Sequence, residues 1–300
     1  MTLPASGAIS LNNVNVELGL SGTTSINMNQ ATVRTLFAVA SGAISMSDGY
    51  GKSNTFSFTI SSGQTNANLR TLALNAGWPG ASKVIATIGS GIYISSNSTG
   101  TPALTVNGSF PGGVELINNG LIVGMGGSGG AGRSVNSSEV GFGGSDGSAG
   151  GLALSVSVAL TLNNAGTIAG GGGGGGGGRA GFDDGNEFGG GGGGGGRSSN
   201  AANSAGGAGG TGGSGNGTVG GTGTVSSAGG GGNGGAAGPR SAAPGGAGGN
   251  WGTGGSSGSS STVGLISAGG PFSGGGAGGC ITGNSNITYI ATGTRLGSIS

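Results

Sequence analysis

The chain contains no histidine and only one cysteine, Cys280. Without histidine, nucleophile–histidine catalysis and histidine-ligated metal chemistry are excluded. With one thiol, an intrachain disulfide is impossible and a structural zinc site lacks ligands. Charge is also scarce: nine basic and eight acidic residues in 300, net +1, with no run of either sign. That balance gives no electrostatic footprint for a nucleic-acid backbone or an anionic membrane. The apolar runs fall far short of the roughly 18 residues that a membrane span needs. The opening MTLPASGAIS has no basic stretch followed by an apolar core, so no signal peptide is expected. GYGKS ends like a phosphate-binding loop, but the position that needs the first glycine is Met46. Matches to GxGxxG are numerous simply because glycine is. No catalytic residue, cofactor or metal ligand is expected, and a soluble non-enzyme is the reading.

What is there is glycine, at 85 of 300 residues against an average of about 7%. Its placement is uneven, with 13 in residues 1–110 and 67 in residues 120–280. Ordering a residue costs about 1–2 kcal/mol of backbone entropy, and glycine loses the most. With no side chain to bury, a glycine run can gain only from backbone hydrogen bonds and close packing. The extended three-residue-per-turn helix uses both, because its N–H and C=O groups all point sideways to neighbours. Collagen is excluded, since seven prolines and no strict G-X-Y register are present. A lattice of polyglycine helices is the consistent alternative, and nine glycines at about 3.1 Å rise would span roughly 28 Å. An unfolded linker is the competing reading. Two features oppose it: strand-turn units (LINNGLI and LNNAGTI) precede the runs, and bulky inserts sit at run ends. These inserts are RSVNSSEVGF, RAGFDDGNEF, RSSNAANSA and GPRSAAP, with Trp251 and Pro271-Phe272.

Before residue 110 the pattern is more ordinary. SGAISLNN at 6–13 returns as SGAISMSD at 41–48, each copy reading as a short strand-like run. Between them, Leu11–Gly19 reads as a helix after Ser10. MNQATVRTLFAVA reads as a second, capped by Asn27 or Asn29, with Val33, Leu36 and Phe37 as its apolar stripe. A self-sufficient small domain and a docking module are both compatible with this segment. FSFTI reads as a strand, and TNANLRTLALNAG as a helix with a Thr65 or Asn66 cap, burying Leu69, Leu72 and Leu74. Val84–Ile88 and Ile92–Ser95 read as strands, with Trp78 in the core.

The strings ASGAISL, NVNVELG, SGTTSINMNQATVRTLF and SGAISMSDGYGKS resemble the N-terminal segment of many tailed-phage tail and fibre proteins. NLRTLALNAGW, TIGSGIYI and TGTPALTVNGSFPGGVELINNGLIVG resemble a glycine-rich module of tail-tip and tail-fibre proteins. The polyglycine half is similar in kind to distal adhesins of T-even-like phages. The resemblance implies a mixed fold: a small α+β docking region over 1–54, a β-rich platform over 55–119, a polyglycine II helix sandwich with loop inserts over 120–280, and a strand-like tail over 281–300. It implies a virion protein of the tail or fibre tip, assembled in the host cytoplasm, that attaches to a bacterial outer-surface receptor. Its N-terminal module would dock on other tail or fibre proteins, without nucleic-acid contact or membrane insertion, and a monomer and a homotrimer are both compatible. A purely structural virion protein without receptor contact is the alternative.

The expected contact residues lie in the inserts. RAGFDDGNEF, between the two longest glycine runs, supplies Arg179, Phe182, Asp183, Asp184, Asn186, Glu187 and Phe188; Arg197, Arg240, Trp251 and Phe272 complete the candidate set. The three carboxylates fit no standard calcium loop. Pairing with Arg179 and Arg197 competes with receptor contact, in which Phe182 or Phe188 would anchor and the charges would set specificity.

Overall fold

The computed structural model describes residues 2–80, 82–260, 266–268 and 271–300. The N-terminal module holds α1 (Leu11–Glu17), α2 (Ala31–Phe37) and a 3-10 turn (Met46–Gly49) around Leu3, Ile9, Val14, Val33, Leu36 and Phe37. The sequence echo is not a pair of strands. Ser10 and Ser45 are the N-caps of α1 and the 3-10 turn, each closing a capping box with Asn13 or Asp48. The repeated motif therefore specifies two helix starts, because a serine followed three residues later by a polar acceptor satisfies orphan N–H groups. The α2 cap is Gln30 rather than either asparagine; Asn29 instead accepts from Arg34 Nε at 2.8 Å.

From residue 55 the chain winds as a three-faced parallel solenoid. The first turn is β1 (Thr55–Ile60), β2 (Gln64–Thr65) and β3 (Ala67–Asn68), followed by α3 (Leu69–Asn75). The second is β4 (Lys83–Ile88), β5 (Tyr93–Ser95) and β6 (Leu104–Val106). In the third, β7 (Val114–Asn118) and β8 (Leu121–Val123) are separated from their closing strand by the hairpin β9 (Ser134–Val135) and β10 (Gly141–Phe142); β11 (Leu154–Val156) then completes the turn. In the fourth, β12 (Leu160–Asn164) and β13 (Thr167–Ala169) precede a long excursion. It carries β14 (Ala180–Asp183), β15 (Asn186–Phe188), β16 (Ala236–Ala237), β17 (Arg240–Ser241) and β18 (Ile266–Ala268). β19 (Ile281–Thr282) closes that turn, and β20 (Ile287–Ala291) with β21 (Thr294–Leu296) forms the last.

The faces stack as β1-β4-β7-β12-β20, β2-β5-β8-β13-β21 and β3-β6-β11-β19, in register apart from a one-residue bulge of β20 opposite Leu162 and Asn163. Alternate residues point inward, which gives the alternating burial of β7 and β12 and fills the core with Leu104, Leu116, Leu154, Leu162 and Ile168. One corner is built from asparagine. Asn118 and Asn164 are fully buried and stacked, with Asn118 Nδ2 donating to Asn164 Oδ1 at 2.7 Å and Asn164 Nδ2 to the Thr292 carbonyl at 2.7 Å. The NNG and NNAG strings mark this corner. Leu74, read as a core residue of α3, is 42% exposed; Ala73 takes the inward place.

Both excursions leave from the second face and return to the third, and they consist of glycine-rich segments bonded only sideways. Along 170–178 the N–H partners rotate with a period of three. Gly171, Gly174 and Gly177 donate to residues 151, 148 and 145; Gly172, Gly175 and Gly178 donate to 197, 194 and 191; Gly173 and Gly176 donate to 253 and 256. Its carbonyls accept from three further segments, 127–133, 246–252 and 272–278. The 189–197 run likewise bonds to six segments: 215–221, 127–133 and 243–249 through its N–H groups, and 229–235, 207–210 and 172–178 through its carbonyls. These contacts define three rows, with 170–178 and 189–197 at the centre of the middle one. Every glycine in 170–178 and 189–196 is buried. In outer segments every third residue faces out and need not be glycine, as at Ala205, Ala208 and Thr211, or Pro244, Ala247 and Asn250.

Candidate functional site

Because the segments run back and forth, the inserts divide between two ends. Those at 134–144, 179–188 and 236–242 lie at the end away from the solenoid, at the distal termini of their bonded segments. The turns at 198–203, 225–228 and 250–252 lie against it.

At the distal end β14 and β15 pair antiparallel through Asp184-Gly185, whose φ values are 47° and 74°. Two successive positive φ values are what a two-residue turn matched to strand twist requires, and Asp-Gly supplies them at low steric cost. β18 pairs with the other edge of β14. Phe188, at the end of β15, is buried, while Phe182 is half-buried against Val135 and Ala180. Arg240, from the neighbouring β16–β17 hairpin, reaches Asp183 at 3.0 Å and Asp184 at 4.0 Å. Both pairs are partly solvated, so together they orient the two hairpins more than they stabilise the fold. Asn186 donates to the Asp183 carbonyl at 3.1 Å and accepts from Ser214 Oγ at 3.2 Å. The Glu187 carbonyl accepts from Ser214 N at 2.9 Å, and the Arg179 carbonyl from Ala243 N at 3.1 Å. The Phe272 ring rests against Gly144, so β9–β10 and the 272–278 segment meet.

The structure thus gathers Arg179, Phe182, Asp183, Asp184, Asn186, Glu187, Phe188, Arg240 and Phe272 at one end. Arg197 and Trp251 lie at the other. The Arg197 guanidinium sits 3.6 Å from the Trp251 ring centroid, Arg197 Nε donates to the Val225 carbonyl at 3.0 Å, and Trp251 Nε1 to Ser198 O at 2.9 Å. Trp251 is 9% exposed and packs with Val123 and Ala169 of the solenoid. These two residues join the glycine array to its platform. Arg197 therefore does not pair with the carboxylates of 183–187.

Two distal residues fall outside the expected set. Val140 and Phe142, on the β9–β10 hairpin, are 56% and 50% exposed. The hairpin beneath them is fixed: Arg133 Nη2 donates to the Gly141 carbonyl at 2.9 Å, and Asn136 Oδ1 accepts from Ser138 N at 3.2 Å and Val140 N at 3.0 Å. The sequence signal for them is an aromatic at the very end of a charged insert. It is weaker than the long flanking glycine runs that single out 179–188.

The bonded array thus carries its hairpins at the end away from the solenoid base. Residues 55–190 match the family model described as phage tail fibre adhesin Gp38. Among solved structures, the chain is similar to the gp37-gp38 adhesin tip complex of the bacteriophage S16 long tail fiber. The TM-score is 0.55 and the identity 24%, covering 99% of this chain and 100% of that one. This likeness extends the shared fold over the whole chain. A search of curated proteins gives no match. Residues 55–190, a little under half of the chain, are thus similar to the phage tail fibre adhesin Gp38 family, in agreement with the resemblance in the sequence.

Proposed function

We propose that the chain is the tip of a phage tail fibre that attaches the virion to a bacterial surface receptor through the distal hairpins. The three-residue bonding period and the absence of strand ladders along 170–178 support reading the array as a polyglycine II sandwich. In that reading the glycines make a scaffold whose ordering cost is met on folding, so the hairpins engage without a further entropy loss.

The observation that carries the contact assignment is the pair of exposed apolar side chains, Val140 and Phe142, on a hairpin held by side-chain hydrogen bonds. These serve as anchors; Phe182 and Phe272 extend the apolar patch, with Phe188 as support. Arg179, Arg240, Asp183, Asp184, Asn186 and Glu187 form the polar rim that selects the partner. Residues 1–54 form a separately cored module suited to dock on another tail-fibre protein, by analogy with the pairing of gp38 and gp37 in the similar adhesin tip complex.

Purified protein should compete with phage for adsorption to host cells. Val140→Ala with Phe142→Ala should raise the half-inhibitory concentration at least about tenfold, corresponding to about 1.4 kcal/mol, without changing the melting midpoint. Undiminished competition by the double variant would remove this hairpin from the site. Incorporation into particles with no competition by wild-type protein would favour a purely structural role.

A further inference from the structure

A recess lies on the flank of the molecule, where the first two solenoid turns meet the 198–203 turn of the array. It holds about 210 Å³ and is lined by Gln64, Thr65, Tyr93, Ser95, Asn200 and Ala201. One wall is the parallel pair β2 and β5, with Thr65 opposite Ser95. The other is tied down by Ser199 Oγ, which donates to the Ser96 carbonyl and accepts from Ala201 N at 3.2 Å. Bonds on both sides hold the recess open.

Its lining carries amides, hydroxyls and one phenol ring, and no charge. Ser95 is 3% exposed at the floor of the recess, and its Oγ has no hydrogen-bond partner among the described residues. Gln64 Nε2 donates to the Ser62 carbonyl and hydroxyl at 3.3 and 3.2 Å, which leaves its side-chain oxygen as an acceptor.

We propose that this recess binds a single neutral sugar ring of a surface polysaccharide. A pyranose offers hydroxyls around its edge to Gln64 and Asn200, and an apolar C–H face to the Tyr93 ring. The recess is smaller than the roughly 300 Å³ at which drug-sized pockets begin, so it takes one ring and not a disaccharide. No basic side chain lines it, which disfavours acidic sugars. The site lies at the solenoid end of the array and is independent of the receptor contact at the distal end.

Saturation-transfer NMR on the full chain tests this, using methyl glucoside, methyl galactoside, N-acetylglucosamine and glucuronic acid at millimolar concentration. The expected result is transfer to at least one of the three neutral rings and none to glucuronic acid. The signal should fall at least fivefold in Tyr93→Ala and in Asn200→Trp, which closes the mouth from an exposed position, and persist in Phe142→Ala. No transfer to any neutral ring, equal transfer to glucuronic acid, or a signal surviving Asn200→Trp with an unchanged circular dichroism spectrum would overturn the assignment. Loss of sugar binding with intact adsorption, or the reverse, separates this site from the distal one.

Discussion

Replacing Gly174 by alanine tests the glycine array directly. Gly174 is buried at the centre of the 170–178 segment, and a Cβ there would run into the Ser128 carbonyl and lie 2.9 Å from Gly129 N. All of these are backbone atoms of a bonded neighbour, so no side chain can swing aside. Segment 127–133 would have to move away from 170–178. That movement strains three bonds: Gly127 N to Gly172 O and Gly130 N to Gly175 O, both 2.8 Å, and Arg133 N to Gly178 O at 3.0 Å. At about 0.5–1.5 kcal/mol net each, their loss costs about 1.5–4.5 kcal/mol. Alanine also restricts the unfolded chain, which returns about 0.4–1 kcal/mol. The expected net is a destabilisation of about 0.5–4 kcal/mol, read as a fall in melting midpoint of about 1–15 °C. Gly276 is the control, because nothing lies within 4 Å of its Cβ position and it is exposed. Gly276→Ala should be neutral or stabilising by up to about 1 kcal/mol. Thermal and urea unfolding followed by circular dichroism would read both. Equal midpoints for the two variants would refute the claim that inner glycines are fixed by backbone contact.

Trp251→Ala should destabilise by about 3–5 kcal/mol, as for a buried aromatic, while the folded fraction still competes fully for adsorption; a specific loss of adsorption at unchanged stability would return Trp251 to the contact site. Burial pushes the Cys280 thiol up from 9.0 to about 11, against smaller opposing effects of the Leu296 backbone and Arg295. Native protein at pH 8 should therefore hold roughly a hundredfold less thiolate than a free cysteine and resist alkylation until unfolded; rapid labelling of native protein would contradict the burial. Because the folded state favours the neutral thiol, this contribution to stability is complete below pH 9 and is lost as pH rises through about 11. A melting midpoint that does not fall across that window would show that the thiol titrates alike in both states.

Several features were legible in the sequence because they rest on local chemistry. The α1 and α2 stripes, the strands at 55–60 and 84–88, the buried Trp78 and the incompatibility of glycine runs with any side-chain core all follow from spacing and residue type. That an ordered glycine array would have to be held by sideways backbone bonding is also legible in the composition, with an unfolded linker as the competing reading. What sequence alone did not settle is which residues meet. The strand-turn strings at 114–123 and 160–169 are separated by a glycine excursion, yet they stack as successive solenoid turns, and residues 281–296 return to complete the same faces. Such pairing is non-local and leaves no mark in either string alone. The difference between pure glycine at 170–178 and the every-third-residue pattern of outer segments likewise has meaning only once neighbours are counted: a segment bonded on six sides has no outward face, whereas an edge segment has one in three. For the same reason Arg197 and Trp251, adjacent in composition to the other inserts, lie at the solenoid end. The direction in which each segment runs, fixed by the whole array, decides which inserts share the distal surface.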